Sequence, residues 1–353
     1  MITDIRLQNF RIYTDESFEF DPGVNIIVGA NASGKTSLLE AILVVCRGGS
    51  YRVNDADLIR FDEAWLRLDT HTQTGERTVK VTKDPIPQKT FTVDTKPYKR
   101  LPVAQTIPVV LFEPNHLQLL TGTPDLRREY LDNLIEQSVV GYGSLRRQYR
   151  RTLAQRNALL KQGAHGASEL FAWNIRLSEL GSQIARRRME LVARFDGRLA
   201  ELYANLSGAR QAVASVAYES RCVLGQYGSD MLHKLEQSVD LDMARGFTAY
   251  GPHRDDMVLR LNGLPLVLAA SRGEVRTLLL ALKIVEMELL HEYRGAQPLL
   301  LLDDVFSELD GSRRRALTEA LKDRQAFITT TDADVVLKHF TQDSRVIPVA
   351  GAA

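Results

Sequence analysis

Only two cysteines, Cys46 and Cys222, occur in the 353 residues, and they do not form a CxxC spacing. This excludes a disulfide scaffold or a zinc ribbon and fits a reducing compartment. Both thiols are expected to be buried and inert. Long apolar runs are also missing. Stretches such as 278–282 and 299–302 fall far short of the ~18 residues that span a bilayer. The first residues carry no basic segment followed by an apolar run, so no secretory signal is visible. The expectation is a soluble, cytoplasmic protein with no membrane partner. Neither sign of charge dominates: 45 Lys and Arg face 44 Asp and Glu, for a formal net charge of +1. Bulk charge therefore does not announce a nucleic-acid partner, and any basic surface must be local. Aromatic residues make up 7%, and the two tryptophans, Trp65 and Trp173, are expected as core or interdomain anchors. No internal repeat or low-complexity segment is present. What remains is 44% apolar and 25% charged, enough for a sizeable core in one or two domains.

The organisation changes along the chain. Segments 2–7, 17–20, 24–28, 64–68, 77–81, 89–93 and 107–112 have strand character, and 35–45 reads as a helix. From Pro114 to about Arg210 the text is helical, divided into two arms by a loop at 163–168. Strand character returns at 212–220, followed by alternating strands and helices. This predicts an α/β head in two segments, 1–113 and 211–353, with an all-helical insertion at 114–210.

The head contains a phosphate-binding pattern. Gly29, Ala30, Asn31, Ala32, Ser33, Gly34, Lys35 and Thr36 match GxxxxGK[ST] at every fixed position, with Ser37 following in the helix. An apolar strand precedes the loop and a helix follows it. Backbone N–H groups of such a loop can wrap a phosphate chain, and the helix start adds partial positive charge. Lys35 is expected to bridge the β- and γ-phosphates, and Thr36 to offer its hydroxyl to Mg²⁺. Residues 298–302 form an apolar strand ending in Asp303 and Asp304. At the carboxyl end of a parallel strand these acids should face the phosphate loop. Asp303 is expected to hold Mg²⁺ and Asp304 to orient or deprotonate the attacking water. Ser271 and Gly273 open a long helical run at 275–294. They form a helix cap that can double as a second small anion site.

Walker A, signature, Walker B and D-loop of ABC-type ATPases occur in the order of residues 31–36, 271–274, 303–304 and 307–310. The chain resembles, more specifically, the RecF family of bacterial recombination mediators, relatives of the SMC and Rad50 proteins. Further segments that carry the resemblance are 7–11, 122–124, 127–132, 155–161, 251–256 and 302–310. The resemblance implies a P-loop ABC-type ATPase head that binds ATP and dimerises head to head, with Ser271 and Gly273 of one chain facing the partner's phosphates. It implies DNA binding at gaps, on single- and double-stranded DNA, and action with RecR and RecO to load the recombinase RecA. Arg11 is similar to the early arginine near the nucleotide in SMC-like heads. Two departures are visible. Asp304 stands where most ABC ATPases have Glu, which implies slow, DNA-stimulated hydrolysis used as a switch. Thr329, Thr330 and Thr331 stand where a switch histidine is usual, and Phe112, Glu113 and Pro114 occupy the expected position of the Q-loop glutamine.

The helical insertion carries Arg146, Arg147, Arg150, Arg151, Arg156 and Lys161 with no carboxylate among them, and Arg186, Arg187 and Arg188 on the second arm. At helical spacing Arg146, Arg147, Arg150 and Arg151 form one stripe that could contact DNA phosphates. The alternative is a solvated face packed against acidic neighbours. His253 could approach nucleotide or DNA, or could simply sit in a turn. Two other functional classes also fit an ABC head. One is the nucleotide-binding subunit of a membrane transporter, and the other is a short SMC- or Rad50-like tether. The insertion allows a hairpin of only ~45 Å, from ~30 residues per arm at 1.5 Å rise.

Overall fold

The computed structural model describes residues 1–50, 52–83, 86–162, 167–208, 213–340 and 344–350. The chain divides into two compact units, Met1–His116 with Lys283–Ala353, and Leu117–Leu282.

In the first unit, β1 (Ile2–Phe10) and β2 (Tyr13–Glu19) form a hairpin, and β3 (Val24–Val28) leads into the phosphate loop and α1 (Lys35–Arg47). β4 (Trp65–Thr72), β5 (Gly75–Thr82), β6 (Gln88–Val93) and β7 (Lys96–Tyr98) extend the hairpin into an antiparallel sheet of order β2-β1-β4-β5-β6-β7, and β8 (Val109–Phe112) follows. One face of this sheet is buried, so its strands alternate. In β4, Leu66, Leu68 and Thr70 point inward. The same alternation turns Trp65 outward, 36% exposed, so it is not a core anchor. Trp173 is partly buried. Helix α1 is apolar on nearly every side, as a helix covered on two faces must be. Leu38, Ile42 and Val45 join one core with Ile5, Leu7 and Leu68 of the antiparallel sheet and Ile27, Leu301 and Phe327 of a second sheet. Gly48, in the left-handed region at φ 89°, ends α1.

The second unit holds α2 (Leu117–Thr121), α3 (Pro124–Ser138), α4 (Tyr142–Lys161) and α5 (Ala167–Ser207). Then come β9 (Ala214–Glu219), α6 (Tyr227–Gln237), α7 (Val239–Arg245), β10 (Asp256–Leu261), β11 (Leu264–Pro265) and α8 (Leu266–Ala269). The arms are unequal: α4 has 20 residues and α5 has 41, or ~60 Å at 1.5 Å per residue. The first four residues of the expected dividing loop, 163–166, lie outside the described residues, as do 209–212 at the start of the returning strand. The sequence expectation began the second head segment at 211. In the structure 213–282 groups with the helices instead. The reason is pairing and packing: β9 pairs antiparallel with β10, and the Val216 N–H donates to Asp196 of α5 at 2.9 Å. Strand character therefore did not mark a return to the head.

Helix α9 (Arg272–Arg294) begins in the second unit and ends in the first. β12 (Leu299–Asp303), α10 (Val305–Glu308), α11 (Gly311–Leu321), β13 (Ala326–Thr330), α12 (Ala333–Leu337) and β14 (Ser344–Pro348) complete the first unit. A parallel sheet of order β14-β3-β13-β12-β8 results. Its central strands β12 and β13 are buried at every residue, as strands covered on both faces are. Because the strands are parallel, Val28, Phe112, Asp303 and Thr330 end at the same edge of the sheet.

Candidate nucleotide site

The phosphate loop leaves β3 at that edge. Gly34 has φ +104°, and a Cβ there would lie 2.6 Å from Ile12 Cδ1 and 2.8 Å from the Tyr13 hydroxyl. That hydroxyl donates to the Gly34 carbonyl at 3.1 Å, so the hairpin braces the loop from below. A Cβ on Gly29 would meet Ser33 Oγ at 2.4 Å and the Val349 carbonyl at 2.5 Å. Ala32 also lies in the left-handed region, at φ 63°. Ala30, Asn31 and Ala32 are exposed, and Gly34, Thr36 and Ser37 are partly so. Lys35 Nζ curls back to the carbonyls of Gly29 and Ala30 at 2.7 and 2.8 Å. Ser33 Oγ is buried without a partner among the described residues. A loop with an open rim of N–H groups, a lysine at its centre and an unsatisfied hydroxyl fits a phosphate chain.

The acids arrive from β12. Thr36 Oγ1 donates to Asp303 Oδ1 at 2.9 Å and lies 3.0 Å from Oδ2. These two residues, 267 apart in the chain, thus share one hydrogen bond. Thr329, fully buried at the end of β13, donates to Asp303 Oδ1 at 2.8 Å. It also accepts the Asp304 N–H at 2.9 Å. Thr329 orients both acids. In the sequence this threonine stands where a switch histidine is usual. Only the strand register, which pairs Asp303 with Thr329, reveals its role. Asp304 takes φ 52°, unusual for a residue with a Cβ, and Ser307 Oγ, which donates to the Asp304 carbonyl at 2.7 Å, lies 3.0 Å from its Oδ1. Among the described residues no group of three or more His, Cys, Asp or Glu side chains is arranged to hold a metal by itself. A threonine hydroxyl and one carboxylate fit a cation that completes its shell with phosphate oxygens and water.

Other expected residues have more local partners. Arg11, at φ 55°, donates to Glu40 of α1 at 2.9 Å and to the Asp57 carbonyl at 3.1 Å, which ties the hairpin to the phosphate-loop helix. Ser50 Oγ donates to the same Glu40 at 2.5 Å. His116, just beyond β8, accepts the Glu113 N–H at 3.4 Å. Burial, with Lys283 and Arg52 nearby, pushes its imidazole down to about 2, so it stays neutral.

A family profile described as an AAA domain matches residues 4–166. The DNA replication and repair protein RecF of Heliobacterium modesticaldum is 36% identical over 94% of this chain and 92% of its own length. RecF of Acetivibrio thermocellus is 31% identical over 95% and 94%. The chain belongs to the RecF family. Solved structures of the recombination mediator RecF, as RecF-ATPrS and RecF-ATP in the RecFOR pathway, superpose with TM-scores of 0.86 and 0.85 at 30% identity. They cover 95% and 94% of this chain, and 94% and 92% of theirs. An Smc head bound to the C-winged helix domain of ScpA shares the fold, at TM-score 0.52 and 14% identity over 96% and 92%. The fold is thus the ABC-type ATPase head with a helical insertion.

In this RecF-family chain the signature segment is a reciprocal helix cap. The Ser271 N–H and hydroxyl both donate to Glu274 Oε2 at 2.7 Å, and the Glu274 N–H returns to Ser271 Oγ at 3.3 Å. The two donations from Ser271 hold the Glu274 carboxyl below its usual range. Ser271 is exposed and Gly273 partly so.

The expected arginine stripe is not one open face. Arg146 is buried against Glu129, Asp132 and Glu136 at 2.9, 2.9 and 3.0 Å. Helix α3 supplies the carboxylates that α4 lacks. Arg147, Arg150 and Arg151 are exposed, and Arg150 touches Glu129 at 3.4 Å. Arg156 is fully buried, donating to Asp242, Thr248 and Asn174 at 2.8 Å each. Arg188 is buried on Asp132, while Arg186 and Arg187 are exposed. Burial raises the Asp132 carboxyl, but Arg188, Arg146 and the Tyr142 hydroxyl outweigh it and bring the net shift down. His253 lies within 2.7 Å of the Tyr149 hydroxyl and 3.1 Å of the Thr248 carbonyl, and burial lowers it to about 4. It sits in a hydrogen-bonded turn. Cys46 and Cys222 are buried, and burial raises both thiols. Among the described residues no helix is long and apolar enough to cross a membrane.

Proposed function

We propose that this protein is an ATP-driven switch of DNA replication and repair. In this reading it closes as a homodimer on ATP, holds DNA at gaps, and helps load RecA with RecO and RecR from the cytoplasm. The observation that carries the reading is the hydrogen bond from Thr36 to Asp303. It brings the two halves of a metal–nucleotide site to contact. Family membership adds the DNA-repair setting, since relatives at 31–36% identity are DNA replication and repair proteins. The nucleotides in two solved relatives add ATP.

Within the site, residues 29–37 wrap the triphosphate with backbone N–H groups, and Lys35 turns from the loop carbonyls to the β- and γ-phosphates. Thr36 and Asp303 would hold Mg²⁺, which when bound would neutralise phosphate charge. Asp304, aimed by Ser307 and by the bond of its own N–H to Thr329, orients the attacking water. Aspartate reaches less far than glutamate, so hydrolysis is slow and serves to reset the switch, with DNA stimulating it. Ser271 and Gly273 of a second copy complete the site from the other side of the γ-phosphate. ATP then contacts both chains only in the closed dimer, so it shifts the monomer–dimer equilibrium. Arg11 acts through Glu40 by holding the phosphate-loop helix. The exposed Arg147, Arg150 and Arg151 are the arm's contacts for DNA phosphates.

Mass measurement at micromolar protein tests this. Saturating ATP should convert monomer to dimer, and Lys35→Arg should weaken that conversion by spoiling phosphate geometry. Ser271→Arg should keep ATP binding while blocking the dimer. A monomer with saturating ATP, or dimers of both variants, would end the shared-site reading.

A further inference from the structure

Strands β8 and β12 run parallel with Phe112 beside Leu302, so the residues that follow, Glu113 and Asp303, leave the sheet as neighbours. Both are buried, at 5% and 9% exposure. Two carboxylates side by side with little water repel each other. The protein answers with Arg52, from the segment after α1. Its Nη2 donates to Glu113 Oε2 at 2.9 Å and to Asp303 Oδ2 at 3.2 Å. The Arg52 N–H is itself held by Ser50 Oγ at 3.0 Å, and Ser50 donates onward to Glu40 of α1. Thr329 donates to Oδ1 of Asp303 and Thr36 lies within reach of both oxygens, while the guanidinium meets Oδ2.

The geometry points to Arg52 as the resident counter-ion of the metal carboxylate, a cation that Mg²⁺ must displace from Asp303. This rests on the reading of Asp303 as the metal acid. A guanidinium and a divalent cation cannot both sit on Oδ2, because like charges at contact in a buried site repel strongly. Glu113 keeps the displaced guanidinium nearby, since it bonds Arg52 independently of Asp303. Charge also decides when the exchange occurs. Arg52 already occupies Asp303 and Glu113, so a bare divalent ion must displace a resident cation and brings no negative charge of its own. The same ion carried on a triphosphate brings its own negative charge. The site therefore refuses free metal and accepts metal with nucleotide. Because Ser50 ties Arg52 to Glu40, which also holds Arg11, the exchange reaches the hairpin that braces the phosphate loop.

Mn²⁺ alone, titrated into the nucleotide-free protein and followed by electron paramagnetic resonance, tests the counter-ion role. Wild type should bind Mn²⁺ weakly. Arg52→Ala should bind at least about tenfold tighter, and the gain should vanish in R52A/D303N. Arg52→Gln, which keeps hydrogen-bond donors without charge, should also gain and serves if the alanine variant folds poorly. No gain in either variant overturns the proposal, and so does a gain that survives D303N. A separate arm titrates Mn²⁺ with ATP present into wild type and Asp303→Asn. Equal binding there sinks Asp303 as the metal acid, whereas a loss there with no gain in the Arg52 variants rejects only the counter-ion role.

Discussion

At the scale of single residues, burial controls what the charged groups do. His116 and His253 are held neutral by burial, at about 2 and about 4. In the unfolded chain a histidine titrates near 6.5. The folded state therefore binds fewer protons than the unfolded one below that pH. Their contribution is fully present above pH 6.5 and is lost as pH falls toward 4 for His253 and further for His116. Each costs up to about 1.4 kcal/mol per pH unit in that window. Melting temperatures at pH 7.5 and 5.0 should fall less for His253→Gln than for wild type, and equal falls would contradict the assignment. Asp132, held low by its arginines, loses its contribution only below the ordinary aspartate range, so the two effects separate. Arg156 is a second case. It and Asp242 are both fully buried at 2.8 Å. Removing one partner strands a buried charge, so Arg156→Met should cost about 3–5 kcal/mol in denaturant unfolding. A loss below 1 kcal/mol would mean the pair is not buried in solution.

At the scale of elements, one cap and one loop carry function and stability together. Ser271 and Glu274 cap α9. Ser271→Ala should cost about 1 kcal/mol of stability. Any loss of ATP-driven dimer well beyond that cost would mark the hydroxyl as more than a cap. The phosphate loop depends on glycine for a reason visible only in its surroundings. At Gly34 the positive φ is joined by Ile12 and Tyr13 pressing from the hairpin. Gly34→Ala should lower ATP affinity at least about tenfold, measured by fluorescent-nucleotide titration, because the loop must shift to admit the methyl group. Unchanged affinity would show that the hairpin yields.

At the scale of the whole molecule, charge is distributed rather than piled up. A net charge of +1 leaves DNA binding to local clusters, and in the second unit only part of the arginine run is available for it. Reversing the exposed Arg147, Arg150 and Arg151 to Glu should weaken DNA retention and flatten its dependence on salt. Arg146→Ala should instead lower the melting temperature, since it removes the buried guanidinium that Glu129, Asp132 and Glu136 share. If the triple reversal leaves the salt slope unchanged, the arm is not the DNA face.

Short-range chemistry was legible in the sequence. The glycine loop, the apolar strand ending in Asp303 and Asp304, and the cap at Ser271 are written in consecutive residues, and each forms the expected element. So is the apolar helix after the loop, which ends two residues beyond its expected limit. Long-range pairing was not legible. Nothing near Arg146 or Arg156 in the chain reveals that their carboxylates come from α3 and α7, and nothing near residue 213 shows that β9 pairs with β10 beside α5. The same holds for Thr329 and Glu113, which parallel strands bring to the edge where Asp303 ends, and for Arg52, which the segment after α1 carries there. Local conformation follows from neighbours along the chain, whereas a buried charge must be matched by whichever distant group packing delivers to it.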